Sequence, residues 1–432
     1  MDLPPGLDAA LGFPLADAIL TRRSRRFGLG MAMDEGGLSY ASPHPPVPLT
    51  DLEEALLVWL GTGATGLALG DLPRDGLSWM HEWSGRSWPC SCNSHSTDLF
   101  LANDAGLHAV ILRDTPLAGT APFDGASREE ALALMLDLYR RTLVTVEEGR
   151  PDLPTGEPGL FRFNSWNAAR PGTSLFVPVT NTTVEYLTLL FIYFDEEHRF
   201  AIVDELTGED CGLGPWLRTG RIRRDVELSL VDLELRVLTT LNVEQAFICQ
   251  NMALALQALG LGGWAFTGFL PHHLLGGGPT HRGLGFRFVT PETTARRTRA
   301  ATPVGRDGLI EGLCPPYVKN MGEAVRRFLD ERARPVDPDA PSPYEDPTGV
   351  MRGRADPTEE TIEIVTTFCQ YVLDTYGRFP AFIDPMFVRL VVQAHHLDLD
   401  FYDRHYAEGA YSERHARHME LWHPAGAGQE GP

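Results

Sequence analysis

Residues 245–269 read "QAFICQNMALALQALGLGGWAFTGF", the stretch of this 432-residue chain with the clearest local structure. Its apolar spacing predicts a helix over 242–260, buried in a core or at an interface between copies. Asn242 is placed to cap that helix and Gly260 to stop it. The run "WAFTGF" (264–269) then reads as a short strand. A helix closed by glycine and followed at once by a strand argues for helices packed on a sheet.

Working outward, a helix is predicted at about 225–240. Upstream of it, "TSLFVPVT" (173–180), "EYLTLLFIYFD" (185–195) and "HRFAIVDEL" (198–206) read as strands, the last two as a hairpin. Further helices are expected at 128–143, 15–23 and 49–63. The last of these takes Thr50 or Asp51 as N-cap, acidic residues in its first turn and Gly61 as its stop. "LFLANDAGLHAVIL" (99–112) reads as a second hairpin. Downstream, 272–287 is a Gly/His loop and 334–357 a Pro/Asp-rich linker. "TEETIEIVTTFCQYVLDTYG" (358–377) and "PMFVRLVVQAHHLDLDFYDRHY" (385–406) return to helix. No fixed-period repeat is present.

The fold class expected is therefore α+β, with a central, mostly antiparallel sheet flanked by helices and an extra C-terminal helical region. Three units follow from the composition shifts. Residues 1–120 carry the N-terminal loops, 121–300 the strand insertion and core helix, and 301–432 a helical extension with its linker.

The formal net charge is −21 and Lys319 is the only lysine. Such a field repels nucleic acid and anionic membranes, so neither is an expected partner. No apolar run reaches the ~18 residues a membrane helix needs. "MDLPPGLDAALGF" has no basic region before an apolar one, and a cytoplasmic location is expected. The six cysteines (Cys90, Cys92, Cys211, Cys249, Cys314, Cys369) show no metal-type pairing and suit free thiols in a reducing compartment.

Against that charge, "TRRSRRF" (21–27) places four arginines in seven positions. Any anion bound must be held locally, and Arg forks around a serine suit a phosphate. "GTGATG" (61–66) is a literal G-x-G-x-x-G, yet it follows a helix and no helix follows it, so the dinucleotide reading fails.

Three segments, in order, resemble the FMN-dependent nitroreductase superfamily. "RRSRRF" (22–27) is similar to its R-R-S-x-R-x-F run at a helix end. "PCSCNSHSTDLFLA" (89–102) resembles its P-S-x-x-N-x-Q-P-W loop leading into a strand, with Ser91 and Asn93 in register. There His95 replaces the usual Gln, and Ser96-Thr97 the usual Pro-Trp. The third segment, 245–269, resembles the late helix A-x-x-x-Q-N-x-x-L-A-A-x-x-L-G-L-G and its following strand through Ala246, Gln250, Asn251, Leu254, Ala255, Leu259 and Gly260.

The resemblance implies FMN held by Arg22, Arg23, Ser24 and Arg26 at the phosphate and ribityl end. Ser91, Asn93 and His95 would lie along the ring, and backbone N–H groups of Thr267 and Gly268 near N5. Arg282 and Arg287 would add a second grip on the phosphate. It also implies a homodimer, NAD(P)H as a possible electron donor, and a small-molecule or peptide substrate. "GRSWPCSCNSHSTDLFLANDAGLHAV" (85–110) resembles the peptide azoline dehydrogenase branch as well, but that branch's Lys-Tyr pair has no match, since Asn320 follows Lys319. No catalytic residue is assigned. A flavin-storing protein without turnover and an interaction protein without flavin are the alternatives.

The tail holds His395, His396, His405, His415, His418 and His423 among Asp398, Asp400 and Asp403. If helical, it puts His396 and Asp400 on one face. A solvated, His/Asp-rich surface is the expectation there, with no metal.

Overall fold

Thr50 opens the first long helix as its sequence dictates. Its hydroxyl accepts from Glu53 N, and the Glu53 carboxylate accepts from Thr50 N, a complete capping box. The computed structural model describes residues 3–69, 82–90, 94–111, 121–292, 300–333, 342, 344–353 and 356–424. Among these the main helices are α1 (Gly6–Leu11), α2 (Leu15–Thr21), α3 (Asp51–Thr62), α4 (Arg128–Thr142), α5 (Thr182–Tyr193), α6 (Leu230–Leu259), α7 (Met321–Ala333), α8 (Glu359–Tyr376), α9 (Leu399–His405) and α10 (Glu413–Trp422).

The central sheet is antiparallel and seven-stranded: β1 (Thr97–Ala102), β2 (Gly106–Val110), β3 (Leu143–Glu148), β4 (Ser174–Asn181), β5 (Gly262–Phe266), β6 (Met386–Phe387) and β7 (Val391–His395). Their order is β5-β7-β4-β1-β2-β3, with β6 paired to β4 beyond the end of β7. The sheet thus takes strands from all three sequence units.

Both faces of the sheet are covered. Leu99, Leu101, Phe176, Val392 and Ala394 point to a layer built from α3, α4 and the second half of α6. Their neighbours Phe100, Ala102, Val177, Val179 and Val391 point to the opposite layer with Trp264, Phe266 and Phe286. This is the period-2 alternation of a strand. Because both faces are dry, the strands read as continuous apolar runs. A third cluster joins α5, α7, α8 and the first half of α6.

The hairpin 99–112 and the helices at 49–63, 128–143 and 358–377 stand as expected. Other expectations are corrected. Residues 185–193 belong to helix α5, capped by Asn181 through Thr183 N, and not to a hairpin strand, and Phe194 and Asp195 follow in a turn. Thr182, Thr183 and nearly all of the residues through Phe191 are buried, so no polar face marked the helical period. The strand at 200–203 pairs instead, in parallel, with Arg223–Ser229.

Two predicted helices are one of 30 residues, α6. Asn242 lies inside it, and its Nδ2 donates to Leu238 O (2.8 Å), an in-helix bond that replaces the capping role. Gly61 lies in the last turn of α3, and Gly63 ends it. "GTGATG" continues into a strand, Ala64–Leu69, so no strand–turn–helix exists there. Residues 391–395 are strand, not helix, because every position is buried between β5 and β4. His396 and Asp400 therefore share no helix face. Of the linker 334–357, residues 342, 344–353 and 356–357 are described, with a short helix at Pro347–Gly353. Cys211, Cys249, Cys314 and Cys369 are buried free thiols. No described helix is long and apolar enough to cross a membrane.

Gly260 does stop α6, at φ +82. A Cβ there would stand 2.7 Å from Arg414 O at the start of α10. Gly260→Ala is expected to lower stability by about 1–3 kcal/mol, combining left-handed strain with that collision. A urea titration gives the shift directly, and a neutral substitution would show that α10 moves freely.

Candidate functional site

The run 21–27 leaves α2 at Arg22 and lies along the free edge of β5. Gly263 N donates to Arg25 O (2.8 Å), and Gly28 forms a bridge with Leu397 just beyond β7. The first and third sequence segments are thus joined side by side. Arg25, which the sequence did not single out, is the arginine of the run that turns inward. It is 5% exposed, donating from Nε to Ala410 O (2.9 Å) and from a terminal nitrogen to Gln257 Oε1 (3.1 Å). Burial lowers its pKa.

Arg23, Ser24 and Arg26 are exposed and Arg22 is half-buried. Arg23 donates to Arg22 O (2.9 Å). Among the described residues none of these three arginines pairs with a carboxylate. In a chain with 58 acidic side chains, that leaves a local positive corner open to an anion.

From Gly263 the strand runs four residues to Thr267, about 13 Å away. Thr267 is exposed. Gly268 is buried, its carbonyl accepts from Phe161 N (3.0 Å), and any Cβ there would collide with Asn164 Oδ1. That Asn164 oxygen is buried and has no hydrogen-bond partner among the described residues, nor has Gln257 Nε2 at the other end of the seam. One orphan acceptor and one orphan donor therefore flank β5.

Ser91 and Asn93 lie outside the described residues. His95 is half-buried in a left-handed conformation (φ 41), edge-on to Trp88 at 5.5 Å. Burial, with Arg86 and Arg332 nearby, pushes its pKa down to about 3, so it is neutral. This second segment meets α6 at the far end from Arg25. Trp88 Nε1 donates to Glu244 Oε1 (3.2 Å) and Asn251 Nδ2 to Ser87 O (2.8 Å). Glu244 and Gln257 are thirteen residues apart, about 20 Å along the helix. Among the described residues, the first and second segments meet the same helix at positions about 20 Å apart.

Arg282 and Arg287 are not brought to the arginine run. Arg282 is committed to Glu147 on β3, at the opposite edge of the sheet. Arg287 lies 4.0 Å from Asp307 and over the Tyr317 ring.

A further constellation, absent from the sequence reading, gathers Glu53, His396, His418 and His423 between α3 and α10.

No family model matches the chain, and no curated protein matches it either. Among solved structures it is similar to a "putative nitroreductase" from Ralstonia eutropha JMP134. The two are 14% identical over 61% of this chain and 74% of that one, with a TM-score of 0.29.

Proposed function

We propose that the protein is an FMN-dependent oxidoreductase of nitroreductase type, with the cofactor lying along the edge of β5. The observation that carries the reading is the bond between Gly263 N and Arg25 O, which fixes the arginine run beside the strand ending at Thr267 and Gly268. Arg22, Arg23 and Arg26 around Ser24 would hold the phosphate, whose oxygens take guanidinium donors bidentately. Thr267 and Gly268 would face the ring. FMN, when bound, supplies hydride chemistry between NAD(P)H or an organic donor and an acceptor.

The space under Phe266, Phe269 and Leu274 admits no water-sized sphere, far below the ~300 Å³ of ligand-sized pockets. The ring would therefore lie over the exposed Ala265–Thr267 side, covered by a second copy of the chain. The exposed apolar residues Leu235, Val243 and Phe247 on α6, and Leu15, Ile19 and Leu20 on α2, offer surface for such a dimer.

The test is the visible absorbance of freshly purified protein and the identity of the ligand released by heat. FMN near one per chain is expected. Arg23→Ala combined with Arg26→Ala should weaken retention at least tenfold without changing the urea midpoint, since both side chains are exposed. Colourless protein that also fails to take up added FMN would end the proposal. NAD(P)H oxidation by the loaded protein separates turnover from storage.

A further inference from the structure

Glu53 is buried at the third position of α3, and its two carboxylate oxygens have different tasks. Oε2 accepts from Thr50 N (2.7 Å) and Thr50 Oγ1 (2.9 Å), closing the cap. Oε1 faces three imidazoles: His418 Nε2 at 2.9 Å, His423 Nε2 at 3.2 Å and His396 Nε2 at 3.3 Å. His396 and His423 also bring their Nε2 atoms to 3.1 Å of each other. The side chains of Glu53 and His396 are fully buried, that of His418 is 3% exposed and that of His423 19%.

The far nitrogens decide what these contacts are. His396 Nδ1 lies 2.9 Å from Val47 O, and His418 Nδ1 lies 2.9 Å from Leu259 O. A carbonyl oxygen can only accept, so both Nδ1 atoms carry the proton. In each neutral ring Nε2 is then a bare lone pair. Two such lone pairs and a carboxylate oxygen converge in a dry site, and His423 has a single proton to offer among them. Acceptor facing acceptor without water is unfavourable. Protonating both rings instead would bury two extra charges.

A divalent cation at the centre removes the conflict. Tetrahedral zinc with bonds of about 2.0–2.1 Å holds neighbouring ligand atoms about 3.3 Å apart, and four of the six separations here are 2.9–3.3 Å. All four ligand atoms lie within 4.8 Å of one another. Ring nitrogens held by backbone carbonyls, and a ligating carboxylate held by its cap, are the outer support of a metal site.

We propose that Glu53 Oε1 and the Nε2 atoms of His396, His418 and His423 form a structural site for a zinc-class divalent ion. Three imidazoles and one carboxylate suit zinc over magnesium or calcium. Four protein ligands close the tetrahedron and leave no position for substrate, which makes the site structural and not catalytic. It ties α10 and the segment after β7 to α3, across sequence separations of 343 to 370 residues. That C-terminal segment also supplies Ala410 O to Arg25 and Tyr402 Oη to Phe27 N, so the ion steadies the backing of the arginine run.

The test is zinc content of the full chain after exhaustive dialysis, with cobalt(II) titration of the metal-stripped protein. One equivalent of zinc per chain is expected, and cobalt should give visible bands of tetrahedral intensity. His418→Ala and His423→Ala should each lower retained zinc at least tenfold. Asp400→Ala, at the exposed His44–Asp400 pair, should leave it unchanged. His423 is the most exposed ligand, so its variant keeps the test readable if His418→Ala fails to fold; near-ultraviolet dichroism reports folding for both. Folded wild-type protein that retains no zinc and gives no cobalt bands would overturn the proposal. So would equal zinc content in a folded His423→Ala variant.

Discussion

Glu234→Ala is expected to lower stability by on the order of 4 kcal/mol, the largest loss anticipated for a single side chain away from the sites above. Glu234 lies in α6, 1% exposed. Its Oε1 accepts from Ala381 N (2.7 Å), and Oε2 from Phe382 N (2.7 Å) and Ile383 N (2.9 Å). Tyr186 Oη donates to the same carboxyl at 3.4 Å. Truncation leaves three backbone donors without acceptors, one buried and two half-buried, at up to roughly 1–3 kcal/mol each before relaxation. Domains of ordinary stability hold only about 5–15 kcal/mol in total.

Glu234→Gln keeps an acceptor oxygen but turns an NH2 group toward a backbone N–H, so an intermediate loss of about 1–2 kcal/mol is expected. The urea midpoint measures both, and hydrogen exchange at Ala381, Phe382 and Ile383 localises the effect. A loss below 1 kcal/mol for the alanine variant would contradict the argument. The consequence is not confined to the loop. Residues 381–383 lead directly into β6 and β7, which deliver His396 to the histidine cluster and Leu397 to Gly28.

What the sequence made legible was whatever short-range chemistry decides. Thr50, Ser127 and Thr358 cap their helices through side-chain oxygens placed just before an acidic first turn. Gly260 and Gly377 stop theirs in left-handed backbone. Where burial is complete, that chemistry falls silent: α5 and β7 are buried on nearly every side, and their sequences suggest a strand for the first and a helix for the second. The arginine run was visible as a cluster, but four identical residues carry no sign of which turns inward. Arg25 is distinguished only by Gln257 and Ala410, more than 200 residues away.

The histidine cluster was hidden for the same reason. Glu53 reads as an ordinary first-turn acid, and its partners follow more than 340 residues later. No local period links them. The tail supplied the residue type without the pairing, since His396 was matched to Asp400 on a helix that does not form. In the fold, Asp400 meets His44 instead.

The melting temperature is expected to fall steeply as pH rises from 6.5 to 8, through buried carboxyl groups. Burial pushes the carboxyl of Glu185 up to about 8, and those of Glu234 and Glu244 up to about 7, from an unfolded value near 4.5. Burial is the main cause at Glu185, with the Glu244 carboxyl adding to it and the nearby Arg332 charge opposing it only in part. Between pH 4.5 and these values the folded chain keeps protons the unfolded chain has released. Stability from these groups is therefore full below 4.5 and is lost as pH rises.

His95 and His415 act with the opposite sign. Burial lowers each to about 3 from 6.5, so the unfolded chain holds the extra protons and stability climbs with pH until 6.5. Below 6.5 the two effects offset each other; above it only the carboxyl loss remains. At about 1.4 kcal/mol per pKa unit, the loss from pH 6.5 to 8 is on the order of 3 kcal/mol. Glu185→Gln keeps the shape of the neutral acid and removes its titration, so it should flatten the slope and raise the melting temperature at pH 8. Thermal scans at constant ionic strength decide the matter, and a flat or rising profile between pH 6.5 and 8 would show that Glu185 and Glu244 ionise freely beneath the segment carrying Trp88 and His95.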